Sequence, residues 1–227
     1  MSTPQKSMAA LVRAFILFLG VSVAMGCQTR PQDGTPEERA QAAKALFDKG
    51  DTLSKQGKYE DAIAVFDDVV RRFGQDKMPG VREQVAEALD YKGYALRNQE
   101  KYEDAIAVYD DIDRRFGQDK TPEMRRWVAV GFLYKVVCLE LQDKYEASIA
   151  IVDDFVRRFG QDETPEVRAL VAITLSGKGF ILAKQGKNEA AIAAYDDLER
   201  LFGQDETPEV REIVARALHE KSRILEK

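Results

Sequence analysis

Lys58–Asp68 reads KYEDAIAVFDD, and the phrase returns as KYEDAIAVYDD at Lys101, KYEASIAIVDD at Lys144 and KNEAAIAAYDD at Lys187. The step is 43 residues each time. Pro36, Pro79, Pro122, Pro165 and Pro208 keep it, as do Gly74, Gly117, Gly160 and Gly203. A fixed period of this size marks stacked helical units, each burying its apolar face on the next. The 227 residues therefore need no single central core. The chain reads as a binding surface before it reads as anything else.

Outward from the phrase, each unit reads as a long helix, a tight turn, a shorter helix and a loop. The long helix opens with Thr-Pro-Glu at Thr35, Thr121, Thr164 and Thr207. Threonine suits the N-cap, and proline suits the first helical position, whose N–H has no partner in any case. Glutamate in the first turn faces the positive end of the helix dipole. The second copy carries Met78 in place of threonine, so its cap should be poorer or come from Asp76. Arg39, Ala43, Leu46, Gly50 and Leu53 keep helical spacing, and the Arg, the Ala and the last Leu recur in all five copies. The turns are QGK, QEK, QDK and QGK, starting at Gln56, Gln99, Gln142 and Gln185. The short helix is expected from about Tyr59 to Phe73, with Ala62, Ile63, Phe66, Val69, Val70 and Phe73 on one face. Gly74 is expected to end it in a left-handed conformation. Five long and four short helices result. The last, from Pro208 to Lys227, has no short partner, and its Glu212, Arg216, Glu220 and Arg223 suit a solvated end cap.

These residues resemble the tetratricopeptide repeat, whose usual unit is 34 residues. Leu46, Gly50, Leu53, Ala62, Phe66 and Val69 follow the family's steps, as do Leu89, Gly93, Leu96, Ala105, Tyr109 and Ile112. The third copy departs, with Val136 for the small residue and Val152 for the aromatic one. Lys49, Lys92, Lys135, Lys178 and Lys221 stand where the family often has leucine. The nine added residues should lengthen the first helix by about 2.5 turns. The resemblance implies an all-α, right-handed α-solenoid over residues 35–227, made of four full repeats and a C-terminal capping helix.

In such arrays the first helices line a concave groove. Carrying the groove positions over gives Lys44, Phe47, Asp51 and Lys55 in the first copy, then Glu87, Asp90, Tyr94 and Asn98. Val130, Leu133, Val137 and Leu141 follow, and then Ile173, Ser176, Phe180 and Lys184. Polar residues lead and apolar ones come after. The candidate partner-binding residues are Tyr94, Val130, Leu133, Val137, Leu141, Ile173 and Phe180, a stripe suited to an amphipathic helix or an extended apolar peptide. The competing expectation is that the longer central helices are simply buried on more sides. Trp127 reads as packing near a helix start.

Catalysis finds little support. A residue present in every copy answers a need common to every copy, which is folding. The pairs Asp67-Asp68, Asp110-Asp111, Asp153-Asp154 and Asp196-Asp197 recur on every short helix. They are read as surface ion pairs, Asp67 with Arg71 and Asp68 with Arg72, rather than as acid–base pairs or a calcium loop. His219 is the only histidine, and Cys138 sits among apolar neighbours, so no metal or nucleophile constellation forms. No glycine loop cradles a phosphate. A net charge of −5 with interleaved signs argues against nucleic acid. No enzyme activity, cofactor or small-molecule substrate is expected.

The start of the chain carries an address. Lys6 and Arg13 precede the apolar run AFILFLGVSVAM, which ends at Gly26-Cys27. The pattern is that of a secretory signal over residues 1–26, too short for the ~20 residues of a spanning helix. Gly26-Cys27 resembles the lipobox of bacterial lipoproteins, with departures at Ala24 and Met25. That resemblance implies lipidation of Cys27, followed by a polar linker through residue 34 that reaches at most ~28 Å. Gln28, where an aspartate can hold some lipoproteins at an inner membrane, points to the outer membrane. Simple secretion and an uncleaved anchor are the alternatives. The sequence thus describes an exported scaffold that binds a protein or peptide beside a membrane of the bacterial cell envelope. The rival readings are an accessory lipoprotein of an envelope assembly or secretion machine, a self-associating structural protein, and an enzyme or sugar-polymer binder.

Overall fold

The structure, a computed structural model, describes residues 34–226. Cys27 and the signal segment lie outside the described residues. Five first helices alternate with four second helices. The first helices are α1 Pro36–Lys55, α3 Pro79–Asn98, α5 Pro122–Leu141, α7 Pro165–Lys184 and α9 Pro208–Leu225. The second helices are α2 Tyr59–Phe73, α4 Tyr102–Phe116, α6 Tyr145–Phe159 and α8 Asn188–Phe202. No strand occurs among the described residues. The fold is an all-α solenoid of tetratricopeptide-like helix–turn–helix units.

Each helix packs on its neighbours in the chain, and each first helix also packs on the next first helix. The second helices stand further apart, and Arg158 of α6 reaches Asp113 of α4 at 2.6 Å across that gap. The first helices therefore crowd together on the inner side of the stack and the second helices splay on the outer side.

The core that joins each pair is built on a close approach. A Cβ added to Gly50 would stand 2.5 Å from the Phe66 ring, one on Gly93 2.5 Å from Tyr109, and one on Gly179 2.4 Å from Tyr195. All three rings are buried. The third unit explains its own departure: Val136 replaces the glycine and Val152 replaces the ring, and both are buried. Two mid-sized side chains fill the space of a ring and a hydrogen, which conserves core volume.

The helix starts differ from expectation. Only Thr35 caps with its side chain, in a capping box with Glu38. Thr121, Thr164 and Thr207 make no such bond. The carboxylate two residues earlier instead fixes the N-cap residue through its own N–H: Asp76 accepts from Met78, Asp119 from Thr121, Asp162 from Thr164 and Asp205 from Thr207. Met78 thus begins its helix as the later threonines do. The helix ends differ too. Gly74 is right-handed (φ −61°, ψ −12°), and the left-handed residues are Gly57, Gly186, Glu100 and Asp143 in the turns inside each unit.

The same aspartates tie one unit to the next. Arg39 pairs with Asp76 at 2.7 Å, Arg82 with Asp119 at 2.6 Å and Arg168 with Asp205 at 2.7 Å, and Arg125 pairs with Asp162. This rung is the role of the recurring arginine. Burial works against ionisation of Asp76, Asp162 and Asp205, but the N–H donors and the arginine outweigh it and hold all three below the usual carboxylate range. Asp119 is lowered most by the Thr121 N–H.

The paired aspartates divide their work. Asp68 pairs with both Arg71 and Arg72 on its own helix, but Asp67 does not pair with Arg71 as expected. It reaches Lys92 of the next first helix at 2.6 Å. Asp110–Lys135, Asp153–Lys178 and Asp196–Lys221 repeat the bridge. The lysine that departs from the family pattern is thereby explained: it crosses between units.

Candidate partner-binding face

The inner surface is lined by the positions that the repeat step assigns to it. Among the described residues, four of the five exposed large apolar side chains lie on first helices at those positions: Tyr94 (40%), Leu141 (55%), Ile173 (48%) and Phe180 (49%). Leu225 (64%), at the end of α9, is the fifth. Val130, Leu133 and Val137 are half-buried. Among the described residues, these three belong neither to the core nor to the partly buried apolar side chains packed against it. The stripe runs from α3 to α7, with Tyr94, Leu141 and Phe180 near the C-terminal ends of their helices and Ile173 midway along α7.

Two positions carried over to the groove are buried. Phe47 is buried, with its ring 5.0 Å from Tyr91 and 5.9 Å from Phe66. The first unit uses it to close the core. Asp90 is only 8% exposed, and its Oδ1 accepts no hydrogen bond. Burial pushes its carboxyl up to about 7, against the pull of Arg97 and Arg126. The repeat pattern did not mark its burial, because the equivalent positions, Phe47, Leu133, Ser176 and His219, are of four different kinds.

The remaining polar positions form local pairs. Lys44 binds Asp48 at 3.0 Å and Lys55 binds Asp51 at 2.7 Å. Glu87, raised by burial, accepts from Gln84. Asn98 donates to the Tyr94 carbonyl at 2.8 Å. Lys184 sits 4.4 Å over the Phe180 ring.

Two depressions open along this face. One, of about 300 Å³, lies between α7 and α9 and is apolar, with Ile173, Phe180, Tyr195 and Ile213 around it and Arg216 and Glu220 also lining it. The other, of about 340 Å³, lies between α1, α3 and α5 and is lined by Tyr91, Tyr94, Tyr134, Asp51, Lys55 and Asp90. An inner face with an apolar pocket at one end and a tyrosine–carboxylate pocket at the other can hold a segment of mixed character.

Of the other side chains of catalytic type, Cys138 is spent on packing, and His219 holds on α9 the repeat position of Asp90 and Ser176. Cys138 is buried, and burial pushes its thiol up to about 11. Trp127 is buried with Arg126 4.2 Å from its ring. His219 is exposed on α9. Among the described residues no cluster of three or more His, Cys, Asp or Glu could hold a metal ion, and no helix is long and apolar enough to cross a membrane.

Residues 38–120 match the family model described as Tetratricopeptide repeat, a span that runs from α1 through α4. No curated protein matches the chain. The matched stretch is similar to a family whose repeats generally mediate protein–protein interaction. The 43-residue step carries the same unit on to α9.

Proposed function

We propose that this protein is a non-enzymatic interaction scaffold that holds a peptide or amphipathic helix of a protein partner against its inner face. The observation that carries this reading is the distribution of exposed apolar side chains, which collect on the first helices from Tyr94 to Phe180. Apolar contacts there supply affinity, and the flanking charged pairs supply register and selectivity. The similarity to tetratricopeptide repeats supports the same assignment.

The tether belongs to this proposal. Lipid on Cys27 would hold the first unit beside a membrane of the cell envelope, with the outer membrane favoured by Gln28. The scaffold would then serve an envelope assembly or secretion machine. A second reading, self-association, draws on Leu225, which is exposed on α9.

The test is capture of partners from native membranes by the full chain in nonionic detergent, beside the chain carrying Leu141→Glu and Phe180→Glu. Both side chains are about half exposed, so the variant should keep its helical circular dichroism and lose the partner. A partner retained by the folded variant moves binding to another face. A captured species that is the chain itself selects self-association. In parallel, Cys27→Ser should release the protein from the membrane fraction, and unchanged partitioning would remove the lipid from the account.

A further inference from the structure

The inner-face pocket between α1, α3 and α5 has a composition that the apolar stripe does not explain. We propose that it is a subsite for a cationic side chain, the ammonium of a lysine or the guanidinium of an arginine carried by the partner. This rests on the reading of the inner face as the partner surface and names what one part of that surface selects.

Three observations converge on a cation that donates hydrogen bonds. First, Tyr91, Tyr94 and Tyr134 line the pocket, and tyrosine faces attract cations through their ring quadrupole. These rings take a cation already within the chain: Arg97 lies 4.4 Å over Tyr134 and 5.5 Å over Tyr94. Second, the pocket contains a buried carboxylate, Asp90, whose Oδ1 has no partner. A buried acceptor left unpaired costs free energy that a donor from outside recovers. Third, the fixed charges of the lining are Asp51, Asp90 and one lysine, Lys55, which Asp51 already holds. With Asp90 ionised the lining residues alone carry one negative charge in excess, which Arg97 over Tyr134 and Tyr94 opposes. Ser54 also lines it and is buried, which gives a further acceptor oxygen.

The charged and titratable groups around Asp90 set the pH response. Glu87 and Arg97 share its helix, Arg126 comes from α5, and Tyr109 comes from α4. Arg97 and Arg126 draw its proton off and Glu87 retains it. Among the described residues no basic group comes within ion-pair distance of Asp90. Its carboxyl titrates at about 7, so the pocket is neutral at its base below that pH and anionic above it. Cation binding should therefore tighten about tenfold between pH 6 and pH 8, in step with the ionised fraction.

The probes are n-butylguanidinium, n-butylammonium, tetramethylammonium and 1-butanol, titrated into the full chain in nonionic detergent with tyrosine rings labelled for NMR. The expected result is saturable shifts of Tyr91, Tyr94 and Tyr134 with the first two probes at pH 8, about tenfold weaker at pH 6. Asp90→Asn should lose the pH dependence and bind at least fivefold more weakly at pH 8. Tyr94→Leu, at an exposed position, should weaken binding severalfold without disturbing the fold. Equal shifts with 1-butanol, or no saturable shift with any cation, would overturn the proposal. Preference for tetramethylammonium would overturn the assignment to a side chain and make this a site for a free quaternary amine. Cation binding without any partner on the inner face would leave the pocket standing and remove the groove. A partner on the inner face without cation binding would do the reverse.

Discussion

Single side chains carry most of what the repeat pattern could not say. Asp90 has the folded carboxyl raised to about 7 from 3.8, so the folded state binds the proton more tightly than the unfolded chain. Its contribution is most favourable below the ordinary carboxylate range and is lost as pH rises from about 4 to about 7. Urea unfolding should therefore show Asp90→Asn more stable than the parent at pH 8, with the difference shrinking steadily as pH falls toward 4. An equal or larger deficit at pH 8 would mean that the carboxylate is satisfied. The turns offer a second test. Glu100 and Asp143 take φ of 60° and 56° where Gly57 and Gly186 sit in the equivalent turns. Left-handed backbone costs an L-residue about 1–2 kcal/mol, so Glu100→Gly should stabilise the chain by roughly 0.5–1 kcal/mol. Asp143→Gly should gain less, because Asp143 accepts from the Tyr145 hydroxyl at 2.6 Å. Thermal unfolding of the two variants side by side checks the order.

The elements were legible to the residue in places, for reasons that are local. Proline at the first helical position fixes where α1, α3, α5, α7 and α9 begin. The apolar spacing of residues 59–73 gives α2 its bounds. What joins element to element was less legible. The recurring arginine showed as constant without a role, because its aspartate lies 37 residues on and no local period links them. The lysines at 92, 135, 178 and 221 read as a departure until the preceding helix supplied the partner. The left-handed end proposed for Gly74 failed because the chain continues right-handed there to bring Asp76 back to the start of α3. These rungs have consequences. Asp162 serves Arg125 and the Thr164 N–H together while nearly buried. Asp162→Ala should cost about 3 kcal/mol, as expected when one partner of a buried pair is removed. Asp154→Ala, which breaks surface pairs on one helix, should cost under about 1 kcal/mol. All four rung aspartates titrate below the usual range. Their stabilisation is present above that range and lost as pH falls through their lowered values, so acid should unfold the stack from its rungs.

At the scale of the whole molecule, the stack is one-dimensional, and its inner face is the side on which first helices meet first helices. The sequence placed the stripe on that face through the resemblance to tetratricopeptide repeats. It could not tell groove from core in α5, because that helix is apolar nearly all round. Burial there is graded rather than complete: Val130, Leu133 and Val137 are half covered and Leu141 stands clear. The most direct test of the central claim is photocrosslinking in cells that make the protein. A photoreactive residue is placed at Leu141, Ile173 or Phe180 on the inner face, and at Ala150 or Ala193, which are exposed on the second helices. The account requires one partner crosslinked from all three inner positions and from neither outer one. A partner crosslinked only from Ala150 or Ala193 would contradict it and make the outer helices the binding surface.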